Sequence, residues 1–123
     1  MGYPDYDRQQ FMSAVIAVDD ALNANVADIY KSQPLAQDWA RIAKSAEETG
    51  EAVAAYIGMT GQNPRKGICD TREHFYDELA DAALTFIYAL QHFTKDARQT
   101  WEILSARADT HCARLCNHAV SNG

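Results

Sequence analysis

Apolar residues recur along the chain at steps of three and four. Phe11, Val15, Val18, Leu22, Val26 and Ile29 follow this spacing, which marks one face of a helix and predicts a first helix over residues 6–30. Pro34 interrupts the pattern, because a helix-interior proline costs about 3 kcal/mol. A second helix is predicted over 35–58, with Trp39, Ile42, Ala46, Val53 and Ile57 on one side and glycines at its end. The Gly-, Asn- and Pro-rich stretch that follows predicts a loop over 59–70. A third helix over 71–93 takes Asp70 as its N-cap, with Glu73 completing a capping box. Its apolar face is Phe75, Leu79, Ala82, Ala83, Phe86, Leu90 and Phe93. A fourth over 96–120, capped by Thr94 or Asp96, carries Trp101, Leu104, Ala108, Cys112, Leu115 and Ala119. No strand-like alternation of useful length interrupts the series. The pattern predicts an all-α, four-helix chain.

Length adds that 123 residues form one domain, since chains divide only well beyond that size. The net charge of −6 argues against a sequence-independent grip on a nucleic acid polymer, although a bound divalent cation can reverse the local sign for a nucleotide. Three cysteines, Cys69, Cys112 and Cys116, read as reduced thiols. The polar start and the short apolar run FMSAVIAV match neither a signal peptide nor a membrane span. A cytoplasmic protein with no membrane partner is expected.

Charge changes the picture at two places. Glu48 and Glu51 lie roughly 60° apart on the second helix, opposite the Trp39–Ile42–Val53–Ile57 stripe, and Ala52, Ala55 and Met59 share their side. Glu78 and Asp81 repeat the arrangement on the third helix, away from Phe75, Leu79 and Phe86 and beside Thr85, Tyr88 and Ala89. Both helices therefore have two faces worth covering. Neighbouring like charges are mildly destabilising, so four such acids are either ordinary surface groups or share a cation. Oxygen donors of this kind suit Mg²⁺, which binds carboxylates together with substrate phosphates. A di-iron bundle would need Glu-x-x-His, and neither pair has the imidazole.

The two motifs, Glu48-x-x-Glu51 and, 26 residues on, Glu78-x-x-Asp81, with GQNPRKG between them and Glu47 preceding the first, resemble the ExxE…ExxD signature of the MazG-like all-α nucleoside triphosphate pyrophosphohydrolases. The match covers about Trp39 to Phe93 and looks most like the small, single-module actinobacterial or phage members. The resemblance implies Mg²⁺-dependent hydrolysis (Mn²⁺ as a substitute) between the α and β phosphates, giving a nucleoside monophosphate and pyrophosphate. It implies that Glu48, Glu51, Glu78 and Asp81 hold the metal. It also implies a homodimeric or tetrameric helical bundle in which neighbouring chains complete the site. Glu47 or Glu48 is the candidate to activate water. A non-catalytic module of the same fold, binding a nucleotide or a protein, is the alternative.

Arg65 and Lys66, in the loop, are candidate phosphate ligands or a solvated turn. Lys44, one turn before Glu48, reads as a phosphate ligand or as an i,i+4 partner of that acid. Trp39 and Tyr88 are candidates to stack on a base, against a core role for either. HCARLCNH, 111–118, cannot aim four zinc ligands at one point along a helix, and Cys112 is expected in the core. His74, about a turn before Glu78, is expected at the helix surface.

Overall fold

A computed structural model describes residues 7–26 and 28–122, with side chains described as far as 116. The chain is all-α. Its helices are α1 (Arg8–Ala24), α2 (Asp28–Lys31), α3 (Pro34–Thr60), α4 (Arg72–Thr94) and α5 (Ala97–Asn122), and no strand occurs among the described residues. Among the described residues there are five helices rather than four, because the first predicted element stops early. Asn25 ends α1 by folding its side-chain amide back onto the Ala21 carbonyl at 2.7 Å, the local competition with helix that Asn offers. At the other end Asp7 and Gln10 form a reciprocal capping box.

The remaining boundaries follow backbone chemistry. Pro34 opens α3, where its missing N–H has no partner to lose. The helix runs to Thr60 and stops at Gly61, whose φ of 70° suits a residue without a Cβ. Thr71, not Asp70, caps α4: its hydroxyl oxygen accepts from the His74 N–H at 3.1 Å. Asp96 caps α5 by accepting from the Arg98 and Gln99 N–H groups.

α3 and α4 form the main antiparallel pair; α1 lies against α4 and α5, and α2 against α3. The pair meets through small side chains. Ser45, Ala52, Ala55 and Gly58 of α3 are buried, as are Ala82 and Ala89 of α4. Gly58 lets the connection before α4 pass close against α3, since a Cβ there would lie 2.9 Å from that of Asp70. Across the bundle, Arg41 Nη2 donates to Asp19 Oδ1 at 2.9 Å and to Asn23 Oδ1 at 3.0 Å, joining α3 to α1. His92 Nε2 lies 2.7 Å from Asp38 Oδ1, joining the end of α4 to the start of α3.

The large apolar residues do not form this core. Trp39 is 69 % exposed, and Ile42, Val53, Leu79, Phe86 and Phe93 are exposed with it. Sequence periodicity identified the stripes but turned their large residues to the wrong side: of the residues on the two predicted faces Ala82 is the one buried, and α3 and α4 pack through small side chains. Cys112 is also corrected. It is exposed, as are Ala108 and Leu115, because α5 engages the bundle near its start, where Thr100 is fully buried and Trp101 stacks under Arg8 at 5.6 Å. Ala119 lies outside the described side chains.

Candidate metal centre

The small-residue packing of α3 on α4 brings the acids together. Glu48 lies one turn before Ala52 on α3, and Glu78 and Asp81 precede Ala82 on α4, so each acid borders the buried seam. One carboxylate oxygen from each of Glu48, Glu78 and Asp81 lies within 4.8 Å of the others. Glu48 and Glu78 are mostly buried, at 14 % and 18 % side-chain exposure, while Asp81 is open to solvent. Oε2 of Glu78 is buried without a hydrogen-bond partner. An unpartnered buried carboxylate oxygen is costly, and a hard cation is the species that would satisfy it. The donor set therefore fits Mg²⁺ or Mn²⁺.

Glu51 flanks this group but is exposed. The charge of Glu48 first, then desolvation and the charge of Glu78, raises the Glu51 pKa. Glu47 faces solvent outside the cluster. Lys44 Nζ donates to Glu47 Oε2 and to Glu48 Oε1, both at 3.2 Å, and these bonds raise the lysine pKa, that to Glu48 most. Lys44 is thus beside the cluster.

His74 completes the surroundings. Its Nδ1 lies 2.7 Å from Asp70 Oδ1 and its Nε2 3.0 Å from Glu78 Oε1. The Asp70 hydrogen bond is the chief cause of a raised His74 pKa, and the Thr71 N–H is the chief cause of a lowered Asp70 pKa. Spacing alone contained this chain of contacts, since 70, 74 and 78 are each four apart; His74 is at the helix surface as expected, 52 % exposed, and touches both acids from there. The ion pair of Asp19 with Arg41 had no comparable signal, because it links residues 22 apart.

The other candidates are placed unequally. Tyr88 and Thr85 line a cleft of about 210 Å³ together with Glu48 and Asp81. Trp39 projects from the outer face of α3, roughly 180° from Glu48 by helical phase, so stacking on a base bound at this chain's own cluster is corrected. Arg65 and Lys66 lie exposed in the 61–71 connection, and neither makes an ion pair among the described residues. Cys112 and Cys116 bring their sulfurs to 3.7 Å on an exposed face of α5; among the described residues only the carboxylate cluster gathers three candidate metal donors.

A second cavity, of about 460 Å³, opens beside the first between α1, α3 and α4. Val18, Leu22, Val26, Tyr30 and Ala40 supply apolar wall, and Arg41, Lys44, Thr85 and Tyr88 also border it. No helix among the described residues is long and apolar enough to cross a membrane. No family model, curated protein or solved structure matches the chain.

Proposed function

We propose that this protein is a divalent-cation-dependent nucleoside triphosphate pyrophosphohydrolase, yielding a nucleoside monophosphate and pyrophosphate. The supporting observation is the convergence of Glu48, Glu78 and Asp81 from two helices to within 4.8 Å, with one buried oxygen unpartnered. These residues would hold Mg²⁺, with Glu51 as a flanking acid. When bound, the ion supplies charge neutralisation for the phosphate oxygens. Lys44 adds a cation at the rim and can exchange its carboxylate partners for phosphate. Glu48 is the better placed of the two candidate bases to accept a proton from water attacking there, since Glu47 lies outside the group. The attack forms a new P–O bond as the α–β bridging bond breaks.

Self-association belongs to the same proposal. The surface of the chain is 9194 Å², whereas a closed 13.7 kDa monomer exposes about 6,600 Å². The outward stripes of α3 and α4 account for apolar surface that a second copy would cover.

Pyrophosphate release tests the activity. With Mg²⁺ and a panel of ribo- and deoxyribonucleoside triphosphates, at least one should release pyrophosphate, and Glu78→Gln should abolish it. A panel with no release, at micromolar protein, contradicts the hydrolase and favours a non-catalytic module.

A further inference from the structure

We propose that Cys112 and Cys116 form a chelate for a soft monovalent cation, cuprous copper, on the outer face of α5. The two residues stand one helical turn apart, where side chains at i and i+4 are neighbours, and their sulfurs lie 3.7 Å from each other. Both thiols are free and exposed. Residues 111–116 are exposed with them, so an incoming ion has no packed side chain to displace. The pair serves neither the core nor the carboxylate cluster, whose oxygen donors suit hard cations.

Donor type and donor number choose the metal. Thiolates select soft ions, cuprous copper and zinc among them, whereas Mg²⁺, Ca²⁺ and Mn²⁺ prefer oxygen. Structural zinc takes four protein ligands and catalytic zinc three. No third His, Cys, Asp or Glu among the described residues closes on the two sulfurs, and a cuprous ion is satisfied by two thiolates. A disulfide is the competing fate of the pair, and helix geometry opposes it. Side chains at i and i+4 keep their Cβ atoms about 5–6 Å apart, while a disulfide draws them to about 3.5–4.5 Å. A bridging ion spans the wider gap with the backbone unchanged. As each sulfur bonds to copper its thiol proton leaves to water, so two protons are released per ion and no electron moves.

Anaerobic competition for Cu⁺ against the chromogenic chelator bicinchoninate tests the site on the full, reduced chain, and X-ray absorption at the copper edge reads the donors. The unmodified protein should withdraw one ion per chain and show two sulfur neighbours around it. Cys112→Ser and Cys116→Ser, both at exposed positions, should keep the helical content. Each should weaken binding by more than the roughly 10–100-fold that loss of a supporting group costs at a metal site. Cys69→Ser removes the remaining thiol and should bind copper as the unmodified protein does. No ion withdrawn from the chelator, copper held equally well by either of the first two variants, or binding lost in Cys69→Ser overturns the site. One ion shared between two chains, or copper bound through nitrogen or oxygen, overturns it as well.

Discussion

His74 Nε2 lies 3.0 Å from Glu78 Oε1, and the ring is held from its other side by Asp70 at 2.7 Å. One oxygen of Glu78 is thereby fixed, leaving Oε2 as the unpartnered atom of the cluster. Groups that orient ligating carboxylates typically contribute 10–100-fold to metal affinity. His74→Ala is therefore expected to weaken Mn²⁺ binding by about that factor, with His74→Gln recovering part of it. An unchanged titration in His74→Ala would remove the positioning role.

The same contact sets a pH dependence. The folded His74 pKa is raised, so its stabilisation is fully present below about 6.5, the unfolded value, and is lost as pH rises through the folded one. Asp70 is lowered, so its stabilisation is present above about 3.9 and lost as pH falls through its folded value. The difference in melting temperature between the unmodified protein and His74→Ala should be largest at about pH 4–6.5 and should shrink toward pH 9. A difference that grows with rising pH contradicts the assigned sign.

Glu51 behaves oppositely. Its raised pKa comes from like charges, so its ionised form opposes folding at neutral pH, and the penalty fades as pH falls. Without divalent cation, Glu51→Gln should raise the melting temperature at pH 8 and have little effect at pH 3.5. Saturating Mg²⁺ should reduce the gain at pH 8, since the ion neutralises the same repulsion. A destabilised Glu51→Gln in chelator would contradict this.

The Asp19–Arg41 pair carries a structural prediction. Its side chains are only 9 % and 13 % exposed, and removing one partner of a buried pair costs about 3–5 kcal/mol. Arg41→Ala should lose stability on that scale in denaturant melts. A loss under about 1 kcal/mol would place the pair in the weak class of surface bridges.

For the outer stripes, Phe86→Glu combined with Val53→Glu puts charge into apolar surface that is exposed in the single chain. Sedimentation should show an oligomer for the parent and a monomer for the double variant, with helical content kept. A parent that sediments as a monomer removes self-association from the proposal.

Helix type and the pairing of acidic motifs were legible in the sequence, because both are local: an i,i+3 spacing and a period near 3.6 need no knowledge of the partner helix. Which face of α3 and α4 turns inward was not, whereas Val15 of α1 is buried as its stripe predicts. Trp39, Val53 and Phe86 form a stronger apolar pattern than Ala52, Ala55 and Ala89, yet the small residues make the seam, since they allow two helices to approach closely. Periodicity reports a coverable face without saying whether the same chain covers it. The break at Asn25 was missed for a related reason, as Val26 and Ile29 keep the spacing across a side-chain cap.

The proposed hydrolysis depends first on Glu48, Glu78 and Asp81 binding a divalent cation. Diffraction from crystals soaked in millimolar Mn²⁺, with data recorded at the manganese edge, measures this directly. An anomalous peak is expected within coordination distance of all three carboxylates and should be absent in Glu78→Gln. Well-ordered carboxylates without a peak between them would contradict it.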